Sequence, residues 1–248
     1  MTNTTKTLVV VACLALTTAS TVAAQTPAAQ VPPAPATRGF VNVDFGAQPA
    51  RGTINTANSF PKYDETVTFT AEGGVANGPF FQVAGGVNVW RSLSVGVGYS
   101  RFSSKSDATV TATVPHPLFF NQPRTSSQVA PDMQRTENGV HLMALWLMPV
   151  TDKIDVSLFG GPSFIRVEQQ LIASVTVIEG TQNFTPGVTT NSGTAKGANV
   201  GVDGTYMINR NFGVGLLLRY AGGKVDLESA SAVKVGGFQA AIGARVRF

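Results

Sequence analysis

The chain has 248 residues, of which 13% are charged, and its formal net charge is +4. This small positive excess is not gathered into a basic stripe with aromatic neighbours, so we expect no nucleic-acid partner. Beyond residue 24, no apolar run reaches about 18 residues, which excludes a transmembrane helix from that part of the chain.

The first residues have the features of an export signal. Lys6 precedes a short apolar stretch, and the small residues at 22–24 predict cleavage before Gln25, which makes residues 1–24 a signal peptide. Cys13 is the single cysteine and would be removed with it, so we expect an exported chain with no disulfide, cysteine metal ligand or thiol nucleophile. The alternative is a lipoprotein signal ending at Cys13, although few apolar residues precede it.

Strand-like alternation fills most of the remaining chain. Residues 25–37 are rich in proline and alanine and predict an extended spacer, whereas residues 38–248 fit one domain. Within this domain, apolar residues alternate with small or polar ones at a period of two, which is typical of β-strands. The alternating segments are residues 41–48, 81–89, 93–100, 139–146, 154–159, 198–208, 212–220 and 235–248.

Short and long connections alternate between these segments. The short turns lie near residues 91–92, 151–153 and 209–211, and the long polar stretches near residues 49–78, 103–134 and 180–196. Outer-membrane barrels have this asymmetry, with tight periplasmic turns and longer external loops.

Three further segments alternate inside the long stretches. We expect residues 65–71 to form a hairpin with a partner in 50–60, above the membrane and within the first loop. Residues 107–114 and 171–178 are expected to continue membrane strands outward, because a bilayer crossing uses only about 9–11 residues.

The two faces of the alternating segments differ in chemistry. One face is apolar and almost uncharged, and the other carries glycine, serine, alanine, asparagine and single charges, as in a narrow lumen surrounded by lipid. A soluble barrel such as a lipocalin would place charged residues outside.

The last segment ends on the aromatic Phe248, as the final strands of outer-membrane barrels do. Aromatic residues predict two interfacial girdles, with Trp146, Tyr206, Phe212 and Phe248 by the short turns and Phe81, Tyr220 and Phe238 nearer the loops.

With these features, residues 39–248 resemble the small outer-membrane β-barrel family typified by the OmpA transmembrane domain and OmpX. The resemblance also rests on glycine-rich strands such as residues 95–99. It implies an all-β, eight-stranded antiparallel up-and-down transmembrane β-barrel in the outer membrane, with extracellular loops and periplasmic termini. The implied partners are outer-membrane lipids, lipopolysaccharide and the barrel assembly machinery, the last through the C-terminal strand. The resemblance covers only the barrel part of OmpA, so we expect no peptidoglycan-binding domain and no cell-wall anchoring.

Charged residues on the inward face are the first candidates for a functional site. Burying a charge is costly unless it is paired, so we expect Arg245 to pair with Asp44 across the closing seam and Arg219 with Asp203. A salt-bridged plug is the favoured interpretation, and a gate or ion path is the alternative. The inward charges by parity are Asp44, Glu137, Asp155, Asp203, Arg219, Arg245 and Arg247.

Histidines and loop residues give weaker signals. No serine or aspartate is placed near His116 or His141 by spacing, and no nucleophile elbow, metal-ligand helix or phosphate loop occurs. We therefore expect no catalysis, cofactor or metal. Leu118, Phe119 and Phe120 lie in a predicted loop, where we expect them to fold back over the barrel mouth. The alternative is contact with a partner, sugar or lipid.

The sequence therefore predicts an integral outer-membrane barrel with a structural or surface-loop binding role. A small pore resembling OmpW is the first alternative. A lipid-modifying barrel enzyme is the second.

Overall fold

A computed structural model describes residues 39–49, 52–178, 181, 183–228 and 230–248. The expected signal peptide and spacer, residues 1–24 and 25–37, lie outside the described residues. Within these residues the chain forms ten strands, and no helix is long and apolar enough to cross a membrane. The strands are β1 (Gly39–Gln48), β2 (Thr53–Lys62), β3 (Glu65–Gly74), β4 (Gly78–Trp90), β5 (Leu93–Val114), β6 (Arg124–Pro149), β7 (Ile154–Val177), β8 (Phe184–Met207), β9 (Phe212–Leu227) and β10 (Ala230–Arg247).

Eight of the strands close into an antiparallel up-and-down ring. β4 to β9 each pair with the next strand in chain order, and β1 pairs with both β4 and β10. The seam pairs Phe40 with Arg247 and Ala47 with Ala240. The predicted fold class is confirmed, and all eight segments read from the sequence are strands of this ring.

Short polar turns join the strands at one end of the ring, which we call the turn end. The Oγ1 of Thr151 accepts hydrogen bonds from the amides of Lys153 and Ile154, at 3.3 and 3.0 Å. The Oδ1 of Asn209 likewise accepts from the amides of Asn211 and Phe212, at 3.0 and 2.8 Å. Side chains that bond backbone groups two or three residues on are a local turn signal, so sequence alone locates these turns correctly.

The opposite end, the loop end, is built from strands more than loops. The predicted hairpin is confirmed as β2 and β3, and β3 pairs with Ala108–Thr113 of β5, beyond the part of β5 that pairs with β4. The expectation of long loops near residues 103–134 and 180–196 is wrong, because β5, β6 and β8 run through most of these stretches. Residues 107–114 and 171–177 continue their strands as predicted.

The polarity of the two faces reverses partway along the barrel, as β5 shows. In its turn-end half, Val95, Val97 and Tyr99 face outward, and small or polar side chains such as Ser94 and Ser100 are buried inside. In its loop-end half, the outward residues are Thr109, Thr111 and Thr113, and the inward residues Ala108, Val110, Ala112 and Val114 are buried. The reversal coincides with a register irregularity between Ser106 and Ala108 against β6, where Asp132 has a positive φ of 55°.

Apolar clusters fill the interior of the loop-end half. One cluster joins the β2–β3 hairpin to the long strands through residues such as Val67, Phe69, Val110, Ile172 and Phe184. A second packs Ile165, Val167, Leu171, Leu227 and Val235 beside it. This half is packed like a water-soluble protein. The turn-end half has a mixed interior, in which a third apolar cluster around Phe80, Phe159 and Leu217 packs beside many buried polar side chains.

Candidate functional site

A buried ion cluster lies inside the turn-end half of the barrel. We call the whole interior of the barrel the lumen. Nη1 of Arg245, on β10, lies 2.6 Å from Oδ1 of Asp44, on β1. The same guanidinium donates from Nε and Nη2 to the two oxygens of Asp203, on β8, at 3.1 and 2.5 Å. Thr205 Oγ1 adds a hydrogen bond to Asp203 Oδ1 at 2.9 Å. One arginine from β10 therefore holds carboxylates from two other strands, and the expected Arg245–Asp44 pair across the seam is present.

The expected pair between Arg219 and Asp203 is wrong. Asp203 stands opposite Leu217 in the β8–β9 register, and its carboxylate forms an ion pair with Arg245. Arg219 instead donates from Nε to Oε1 of Gln239 at 2.6 Å, and its guanidinium carbon lies 5.3 Å from the ring centre of Phe80. Its Nη1 and Nη2 atoms are buried and have no hydrogen-bond partner among the described residues. The face of the Phe80 ring attracts the guanidinium of Arg219 and so offsets part of the cost of burying these two unpaired nitrogens.

A polar chain continues from Arg219 toward the loop end. Gln239 Nε2 donates to Gln48 Oε1 at 2.5 Å, and Gln48 Nε2 donates to Glu137 Oε2 at 3.5 Å. Glu137 is held in turn by Arg135, whose Nη2 lies 2.6 Å from Glu137 Oε1. The chain links β6, β1, β10 and β9, so it fastens four strands of the ring from inside.

His141 lies between two serines in the lumen. Its Nε2 is 2.8 Å from Ser100 Oγ, its Nδ1 is 2.7 Å from Ser163 Oγ, and Asn199 Nδ2 donates to Ser163 Oγ at 2.9 Å. The imidazole is 1% exposed. Within the described part of the chain no carboxylate bonds its ring nitrogens, so this serine–histidine contact lacks the acidic partner that orients a catalytic base. The group crosslinks β5, β6, β7 and β8.

The uncharged members of these networks were not among the residues predicted from the sequence. Gln48, Gln239, Ser100, Ser163 and Asn199 all occupy inward positions, and four of the five lie in or beside the segments recognised as strands. The alternation that places charged residues inward applies equally to amide and hydroxyl side chains, and it predicts the inward direction of Gln48, Ser100, Asn199 and Gln239. Arg135 lies between the long stretch at 103–134 and the strand recognised from residue 139, and it shares the inward parity of Glu137, so the same alternation predicts its inward direction.

Little space remains in the lumen. A cavity of about 50 Å³ lies at the turn end beside Arg245 and Asp203, and one of about 20 Å³ lies beneath the β2–β3 hairpin. Volumes of this size hold a few water molecules at most. Asp155 and Arg247 form an ion pair at the turn end. Among the described residues, no three histidine, cysteine, aspartate or glutamate side chains are grouped as a metal site requires.

The outer surface carries aromatic side chains at two levels. Trp146, Tyr206, Phe212 and Phe248 are exposed by the short turns, and Phe81, Tyr220 and Phe238 are exposed farther along the strands. The structure adds Trp90 to the first level and Tyr99 and Phe164 to the second. Between the levels, the outward side chains are almost all aliphatic, including Val97, Leu142, Leu158, Val214, Leu216 and Ile242.

The tip between β5 and β6 presents an apolar group to solvent. Leu118, Phe119 and Phe120 are 82%, 54% and 70% exposed, so the expectation that they fold back over the barrel mouth is wrong. His116 accounts for their position, because its Nδ1 accepts the amides of Leu118 and Phe119 at 3.1 and 3.2 Å and its ring packs 4.8 Å from that of Phe119. Asn121 closes the tip in a left-handed conformation and donates its amide to Glu65.

Comparison with family models and with curated proteins finds no match. Solved structures with a similar fold include Neisserial surface protein A, at 15% identity over 85% of this chain and 97% of that one, with a TM-score of 0.48. They also include the outer membrane protein OprG from Pseudomonas aeruginosa, at 8% identity over 86% and 96%, with a TM-score of 0.48. A third is the outer membrane protease OmpT from Escherichia coli, at 11% identity over 84% and 97%, with a TM-score of 0.44. Identities this low, with TM-scores below 0.5, assign neither a family nor an activity to this chain.

Proposed function

We propose that the chain is an integral outer-membrane protein of a Gram-negative envelope, in which the eight-stranded ring crosses the bilayer and the loop end projects outside. The reversal of polarity along β5 carries this proposal. A single solvent cannot favour outward Val95, Val97 and Tyr99 in one half and outward Thr111 and Thr113 in the other. Hydrocarbon around the turn-end half and water around the loop-end half favour both.

The spacing of the aromatic levels agrees with a bilayer. Eight residues separate Phe212 from Tyr220 on β9. At about 3.3 Å per residue and a tilt of about 40°, they are about 20 Å apart along the barrel axis. The apolar band of outer-membrane barrels is about 25 Å tall. The closed ring also pairs the backbone groups that hydrocarbon would leave unsatisfied.

The filled interior favours a structural and surface-binding role over conduction or catalysis. The ion cluster, the polar chain from Arg219 to Arg135 and the apolar clusters follow one another along the lumen. A pore would need a continuous path through all of them. An enzyme built on His141 would need access to a group that is buried between strands. The exposed tip at Leu118 and Phe120 offers a contact for an external partner.

Two measurements on refolded protein test the proposal. The first is gel migration of unboiled against boiled samples, where a closed barrel in detergent migrates differently until it is heated. The second is conductance in planar bilayers, where we expect no current steps. Equal migration would refute the membrane barrel, and regular steps from pure protein would refute the closed lumen while leaving the barrel intact.

A further inference from the structure

Three lysines form one row on the outside of the barrel. Lys196 on β8 pairs in register with Lys224 on β9, and Lys224 pairs with Lys234 on β10. All three side chains face outward and are exposed. Residues directly opposite each other on antiparallel strands have Cβ atoms about 5 Å apart, so three positive charges fall within about 10 Å.

Within the part of the chain that the structure describes, the row has no acidic partner. None of the three ammonium groups makes an ion pair with a described residue. The nearest outward carboxylate along β9, Asp226, accepts the amide of Ala232 at 2.7 Å. Like charges directly opposite each other destabilise a sheet, so an anion between or above the lysines would stabilise this arrangement.

The surface between this row and the turn end suits acyl chains. Two residues below the lysines, the outward positions are Ala198, Gly222 and Gly236, and two residues further they are Val200, Tyr220 and Phe238. A Cβ added to Gly222 would lie 3.2 Å from Cε1 and 3.3 Å from Oη of Tyr220, so the ring leans over the glycine toward the lysines. Beside the Tyr220 ring, the small residues Ala198, Gly236 and Gly237 line an open groove of about 950 Å³ along these strands.

The height of the row matches a lipid headgroup. Lys224 lies twelve residues beyond Phe212 on β9. With the same rise and tilt as before, it stands about 30 Å from the turn-end aromatics, just past an apolar band of about 25 Å. Lysine side chains at this level can extend to the headgroups, while Tyr220 and Phe238 lie at the interface below them.

We propose that Lys196, Lys224 and Lys234 bind the phosphates of an outer-leaflet glycolipid, the lipid A part of lipopolysaccharide, whose acyl chains lie in the groove beneath them. This inference rests on the proposed outer-membrane location. Charge complementarity selects a phosphorylated lipid, and the adjoining apolar groove selects a lipid over a soluble anion.

The test compares the wild-type chain with three variants in a zwitterionic detergent. K196Q/K224Q/K234Q removes the row, K196R/K224R/K234R keeps its charge, and K105Q/K153Q/R210Q removes the same charge elsewhere on the surface. Affinity for purified lipid A, for dephosphorylated lipid A and for inorganic phosphate is measured by microscale thermophoresis. Each lysine beside an anionic lipid surface contributes about fivefold, so we expect the glutamine row variant to bind lipid A on the order of 100-fold more weakly.

The arginine variant and the distant-charge control should bind lipid A within about threefold of the wild type, and dephosphorylated lipid A should bind as weakly as the row variant does. Equal losses in the row and control variants would overturn the site, because any three charges would then serve. Full competition by millimolar inorganic phosphate would overturn the lipid assignment in favour of a free-anion site. The boiled and unboiled gel shift of each sample shows separately whether the barrel itself is present.

Discussion

The ion cluster around Arg245 allows the sharpest test of how the barrel is held together. In Arg245→Met the side-chain volume is largely retained, but the carboxylates of Asp44 and Asp203 lose their counter-charge. These residues are 1% and 6% exposed. Removing one partner of a buried ion pair costs about 3–5 kcal/mol, because the charge left behind remains desolvated. Two carboxylates are stranded here, so we expect a loss at the upper end of that range.

Denaturant unfolding in phosphatidylcholine vesicles measures this loss. Trp90 and Trp146 are exposed on the outer surface of the ring. With the proposed membrane location, their fluorescence reports on extraction of the barrel from the bilayer. The matched control is D44N/D203N/R245M, which removes all three charges and should recover most of the lost stability. If Arg245→Met unfolds within about 1 kcal/mol of the wild type, or if the neutral triple variant is no more stable than the single one, the cluster does not act as an ion pair across strands.

Three further perturbations test the faces, the seam and the hairpin. Leu216→Arg should lower the free energy of unfolding in vesicles by about 2–4 kcal/mol if this residue faces the bilayer midplane, whereas Leu118→Arg at the tip should change it by less than about 0.5 kcal/mol. Gly243→Ala should destabilise the seam by about 1–3 kcal/mol, because its Cβ would overlap the carbonyl oxygen of Val43. The control is Gly204→Ala, which should be neutral in the same assay because its Cβ would make an ordinary van der Waals contact, 4.0 Å from the carbonyl oxygen of Leu216. Replacing residues 53–74 by a short linker should leave the heat-dependent gel shift intact, since the ring closes without β2 and β3, and loss of the shift would show that closure depends on the hairpin.

Local alternation explains why the ring was predictable. The assignment of Val214, Leu216 and Leu218 to one face needs only the two-residue period of a strand. Turn chemistry is equally local, since Thr151 and Asn209 bond amides two and three residues away. The loop-end half was harder to predict. There the two-residue period places apolar residues inward and threonines outward, so the outward face is polar and does not match the apolar outward face expected of a strand in lipid.

The sequence by itself determined the turn-end parts of the eight ring strands, their faces and the inward direction of residues such as Asp203, Arg219 and Arg245, because these follow from neighbours along the chain. Only the tertiary structure decided which of them meet. An arginine side chain can reach carboxylates on several strands, so its partner depends on strand register. The registers at the closing seam and between β8 and β9 bring Arg245 to Asp203, whereas Arg219 contacts Gln239 and Phe80. The lysine row on β8, β9 and β10 has the same origin, since three residues that are ten or more positions apart become neighbours only when the registers of three strands are known.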